Sequence, residues 1–80
     1  MAENLRMAYD KEGDVLDISL GTPVAAISRE IEDDLFVRVN PETNEIIGLS
    51  ILNFEKWFQG KKDVRTLPVA GSLNLAEKVA

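Results

Sequence analysis

The stretch Leu35-Phe36-Val37-Arg38-Val39-Asn40-Pro41-Glu42-Thr43-Asn44-Glu45-Ile46-Ile47-Gly48-Leu49-Ser50-Ile51-Leu52 decides the fold. Leu35, Val37 and Val39 alternate with Phe36 and Arg38, which is the two-residue period of a strand with one face turned inward. Phe36 is apolar on the nominally outer face, so that face is expected to be partly covered. Asn40 to Asn44 is a turn: Pro41 presets φ, and Asn44 tolerates the left-handed region. Glu45 to Leu52 is the next strand. Ile47, Leu49 and Ile51 share one face, and Ile46, Gly48, Ser50 and Leu52 the other. Apolar residues on both faces predict a central strand. Gly48 within it marks a bend, a bulge or the close approach of another group.

Outward from this core, the same pattern repeats. Leu5 to Tyr9 reads as a first strand with Leu5, Met7 and Tyr9 on one face. Asp10-Lys11-Glu12-Gly13 supplies a turn, and Asp14 to Leu20 a second strand in which Leu16, Ile18 and Leu20 oppose Asp17 and Ser19. These two fit a hairpin. Gly21-Thr22-Pro23 breaks the ladder, because Pro has no amide hydrogen to donate. Val24 to Ile31 is a third strand, with Ala25, Ile27 and Ile31 on one side, and Glu32-Asp33-Asp34 a turn.

Beyond Leu52 the period changes. Asn53 suits a helix N-cap, and Gly60 suits the position past a helix end. Between them Phe54, Trp57 and Phe58 fall at i, i+3 and i+4, one helical stripe holding three of the five aromatic residues. This turn is expected to close the open face of the sheet. Lys61 to Arg65 is a polar connector. Leu67 to Leu75 is apolar but punctuated by Pro68 and Gly71, so it reads as an extended arm that packs on its own sheet or on a second subunit. Ser72 to Val79 is read as holding a short terminal helix. The expected fold is α+β: an antiparallel β-meander of four to five strands with a short helix after the last strand. Residues 1–60 form the body and 61–80 a C-terminal arm of the same single domain.

Composition narrows the chemistry. Eighty residues bury only ~60% of the unfolded surface, so such a domain gains from self-association. The chain has no cysteine and no histidine. Thiolate chemistry, disulfides, the commonest zinc ligand and the commonest general base are therefore absent. A net charge of −5 argues against binding a phosphate backbone. The basic group Lys56, Lys61, Lys62 and Arg65 is diluted by Glu55 and Asp63. Residues Met1 to Arg6 lack a signal-peptide layout, and no run approaches the ~20 apolar residues of a membrane span. The expectation is a cytoplasmic protein that binds neither nucleic acid nor membrane.

Three constellations are candidate sites. Asp10, Glu12 and Asp14 cluster carboxylates around a turn. A calcium loop also needs a bidentate Glu further on, and turns select Asp for local backbone bonding, so no metal is expected. Asp17 within an apolar strand, with Tyr9 near it, is the one pairing suited to acid–base work. Strand alternation puts Asp17 on the solvent side instead. Glu30, Glu32, Asp33 and Asp34 form an acidic run that would steer a basic partner, although such loops commonly serve solubility. No phosphate loop or nucleophile elbow is present. The protein is expected to be no enzyme and to need no cofactor.

Tyr9-Asp10, Glu12, Asp14-Val15-Leu16, Ile47-Gly48-Leu49 and Ile51-Leu52 together resemble domain-of-unknown-function family 2283, small prokaryotic proteins. Its members open on Tyr-Asp-x-x-x-Asp-x-Leu and close on Gly-apolar-Glu-Ile-Leu. The likeness covers about Leu5 to Phe58. Lys11 stands where the family often has Pro, Asp17 where an aromatic is usual and Ser50 where Glu is usual. The resemblance implies a small β-meander with a C-terminal helix and no established activity. Some members look like partners of small toxin-like proteins, which implies an antitoxin role against a small basic protein as the alternative. The main expectation is a self-assembling interaction module, a homodimer. Its candidate interface residues are Phe54, Trp57, Phe58, Leu67, Val69, Leu73 and Leu75.

Overall fold

Strand alternation translates directly into strands. The computed structural model describes residues 4–21, 24–60 and 64–75. It contains β1 (Leu5–Asp10), β2 (Val15–Leu20), β3 (Ile27–Glu32), β4 (Leu35–Val39) and β5 (Ile46–Leu52). All pairings are antiparallel, and the sheet order is β1-β2-β5-β4-β3. β5 is the central strand, as expected of it. The order corrects the simple meander. β1–β2 is a hairpin and β3-β4-β5 a true meander, but β2 pairs with β5, and the chain crosses from mid-sheet to the far edge after Leu20. Gly21 there adopts φ 61°, ending the β2 ladder without folding it straight back.

The register separates two faces. Tyr9, Leu16, Ile51 and Leu35 lie in one row, and Met7, Ile18, Leu49 and Val37 in the next. This is the apolar face. Leu35, Val37, Val39 and Ile51 are buried on it, and Leu35 is fully closed from solvent. Arg6, Ser19, Gly48, Arg38 and Ser28 make a row on the opposite, polar face, beside Ala8, Asp17, Ser50, Phe36 and Glu30. Phe36 is half-buried there, consistent with its partial cover. Gly48 is the close approach expected of it. A Cβ at this position would lie 2.9 Å from both Arg38 Nε and Nη2 and 3.2 Å from the Ile18 carbonyl, so the guanidinium stem crosses β5 where a side chain is missing. The ladder is irregular beside it, between Arg38 and Val39.

The turns follow their sequence chemistry. Asn40 Oδ1 accepts the Glu42 amide at 2.8 Å, the Asn44 amide donates to the Asn40 carbonyl at 2.7 Å, and Asn44 takes φ 64°. The helix does not form as an α-helix. Among the described residues the helical content is one 3-10 turn, η1 (Phe54–Phe58), so the α+β expectation reduces to an open antiparallel sheet with a single turn on it. The five-residue segment is too short to gain the i→i+4 bonds that would repay nucleating an α-helix. Residues 72–75 are not helical either; the remainder of the expected terminal helix, 76–79, lies outside the described residues. No helix among the described residues is long and apolar enough to cross a membrane.

Trp57 of η1 packs on Leu35 and Ile51, with Leu16, Leu49, Phe54 and Leu67 around them. This cluster is the core. Truncating its fully buried member, Leu35→Ala, is expected to lower stability by about 2–5 kcal/mol. The exposed arm residue Val64, changed to Ala, should shift it by no more than ~0.5 kcal/mol. Urea unfolding at one protein concentration, read as midpoint with unchanged slope, checks both.

Candidate functional site

The polar chemistry of the chain converges where the β1–β2 turn meets η1. Asp10 Oδ1 accepts the amides of Glu12 at 3.1 Å and Gly13 at 3.3 Å, the local bonding that turns select Asp for. This tight turn brings Asp14 into the left-handed region at φ 55°. The Asp14 carbonyl accepts the Phe54 amide at 3.1 Å, Oδ2 accepts the Glu55 amide at 3.1 Å, and Oδ1 accepts the Tyr9 hydroxyl at 2.6 Å. One aspartate therefore ties together β1, the first turn and η1.

Asp14 thus takes the capping role expected of Asn53. Asn53 makes no side-chain cap; at φ 52° and ψ 46° it turns the chain, and its amide nitrogen donates to Asp34 Oδ1 at 3.2 Å. A local reading selects Asn53 because it directly precedes the turn. The true cap is 41 residues distant, beyond any spacing rule. Its one sequence signal is an Asp at a turn end, which marks the turn but not the element it reaches.

Tyr9 responds to this setting. The hydrogen bond to Asp14 pushes its phenol up to about 12, helped by partial loss of water and by the carboxylates of Asp14, Glu55 and Asp10. Ionising the phenol would lose the bond and place a second negative charge beside Asp14. Among the described residues no group of three His, Cys, Asp or Glu is arranged to hold a metal.

The Tyr9–Asp17 pairing does not exist. Tyr9 sits opposite Leu16 on the apolar face, whereas Asp17 belongs to the polar one. Asp17 is half-buried rather than freely solvated, and its Oδ1 accepts the Ser50 hydroxyl across the β2–β5 ladder. Of the acidic run, Glu30, Glu32 and Asp33 are exposed. Asp34 is drawn into the fold by Asn53 and by its carbonyl, which accepts the Leu52 amide at 2.8 Å.

The candidate interface residues separate into two groups. Trp57 is buried in the core, which removes it as an exposed anchor, and Leu67 packs against the same cluster. Arg65, from the basic group, stacks 4.2 Å over the Trp57 ring and donates to the Trp57 carbonyl at 3.2 Å. Lys61 and Lys62 lie outside the described residues. Phe54 is half-buried, edge-on to Tyr9 at 6.0 Å and to Phe58 at 5.6 Å. Phe58 itself is open, because three residues per turn align Phe54 with Trp57 but swing the fourth position aside. Val69 is half-buried and, with Pro68, walls a cavity of about 300 Å³ floored by Val37 and Val39. Leu73 and Leu75 are exposed.

The strands and turns described above fall within a family match across most of the chain: the family model described as "Protein of unknown function (DUF2283)" covers residues 6–54. The chain belongs to this family. The match runs from β1 to the first residue of η1, so Trp57 and the arm lie beyond it. No curated protein and no solved structure matches the chain. Two of the departures from the family pattern, Asp17 and Ser50, are partners across one ladder.

Tyr9 is the only tyrosine, so tyrosinate absorbance reports this phenol alone. It is expected to half-titrate near pH 12, and Asp14→Asn, which keeps the left-handed tolerance, should bring the midpoint back toward 10. Because the folded value is raised, the stabilisation is complete below the unfolded value near 10 and is lost as pH rises through about 12.

Proposed function

We propose that the protein is a non-enzymatic interaction module that works as a homodimer and docks through the apolar face of its sheet. The observation that carries this reading is the uneven cover of that face. Its centre, with Leu35, Ile51 and Leu16, lies under Trp57, while towards the edges Leu5, Met7 and Leu20 on β1–β2 and Ile27 on β3 stand open, with Met7 74% exposed. A sheet with one apolar face is stable when a second layer covers it, and the described residues supply only part of that layer. Open apolar surface of that kind marks an interface.

The polar groups support a binding role over a catalytic one. Asp14 is committed to Tyr9 and η1, and Asp17 to Ser50. The Tyr9 phenol holds its proton far above neutral pH, where it serves poorly as a base.

Light scattering on the full chain at micromolar concentration is expected to give twice the monomer mass. Met7→Lys, at a position already in solvent, should return the mass to monomer with an unchanged far-UV spectrum. A wild-type monomer at high micromolar concentration would refute the proposal.

A further inference from the structure

We infer that the two copies exchange arms: residues 72–75 of one chain lie on the β1–β2 half of the other's apolar face. This rests on the homodimer reading above and specifies how that dimer is built. The arm has two parts with opposite behaviour. Its first part is fixed in its own chain by Arg65 on Trp57 and Leu67 on the core, and it continues as Pro68 and Val69 along the wall of the cavity above Val37 and Val39. Its second part is free. Leu73 and Leu75 are 78% and 85% exposed. Between the parts stands Gly71, around which a Cβ would meet nothing within 4 Å. A glycine in open space is a hinge with no packing to restrain it.

Reach does not explain the separation. Ala70 to Leu75 extends ~20 Å, whereas β4 and β1 are three strand spacings apart, ~14 Å. The arm is long enough to cover its own β1–β2 half, yet both leucines stay in solvent and Leu5, Met7 and Leu20 stay open. A second copy resolves both exposures in one two-fold arrangement, since each arm covers what the other chain leaves bare. The side chains also correspond. Leu73 and Leu75 are two residues apart, the spacing of Leu5 and Met7 on β1.

Area is consistent with this partner. Leu5, Met7, Tyr9, Leu20, Leu73 and Leu75 are all exposed. Their open parts form an apolar patch that counts toward the roughly 600–1,000 Å² a standard interface takes from each partner.

The absence of cysteine makes the test direct. Ser72→Cys, carrying a nitroxide, leaves both leucines in place. Mixed in equal amounts with isotope-labelled wild-type chain, it should broaden amides of Leu5 to Leu20 in the labelled, untagged chain and leave those of Ile27 to Glu32 sharp. A dimeric mass with no broadening in the untagged chain overturns the exchange but leaves the dimer. A chain both labelled and tagged, diluted into excess wild type, separates the remaining case. Broadening of β1–β2 in that sample places the arm on its own sheet and also overturns the exchange. A monomeric mass overturns the exchange and the homodimer together.

Discussion

A single sheet with one apolar face is the constraint on which the structure depends. Eighty residues make five strands and leave little chain to cover them. Among the described residues what remains is one 3-10 turn over the middle of the sheet and an arm over β4, and the margins of the apolar face stay open. The burial pattern records this. Leu35 is sealed beneath Trp57, while Met7, two strands beyond β5 on the same face, is mostly in water. Burying apolar surface is the main favourable term in folding, so the open margin is stability the lone chain does not collect.

The polar contacts work within that limit. Asp14 anchors η1 over the core by holding the amides of Phe54 and Glu55, and Arg65 holds the arm over the back of Trp57. On the other face, Arg38 fills the gap above Gly48, and Asp17 meets Ser50. These groups hold layers in place, and the residues most suggestive of reactivity in the sequence are occupied in doing so. In a small domain that is economical: a half-buried carboxylate without a donor would be costly.

Much of the fold was legible because strand alternation and turn chemistry are local. Leu35, Val37 and Val39 announced their burial, β5 its central place, and Asn40 to Asn44 its turn. What was not legible depended on contacts distant in sequence. Nothing near Asn53 signals that Asp14 has taken the cap, and the β2–β5 pairing is invisible to any local pattern. A 3.6-residue period puts Phe54, Trp57 and Phe58 on one stripe. Under the 3-10 period Phe54 and Trp57 keep their common side and Phe58 loses it. The enrichment of Trp at interface hot spots makes Trp57 a candidate anchor, but the largest side chain beside an uncovered core is the one the core takes first.

The strand order also bears on how the sheet comes into being. The β1–β2 hairpin and the β3–β4–β5 meander each close short loops, but the ladder joining them brings together Asp17 and Ser50, 33 residues apart. Closing that longer loop is the entropically expensive step, and such non-local pairing slows folding. Synthesis proceeds from the N-terminus, so the first hairpin leaves the ribosome with no neighbour to pair with. β5, the strand that both halves of the sheet need, is the last to arrive. Until Leu52 has been added, the nascent chain is two unconnected pieces.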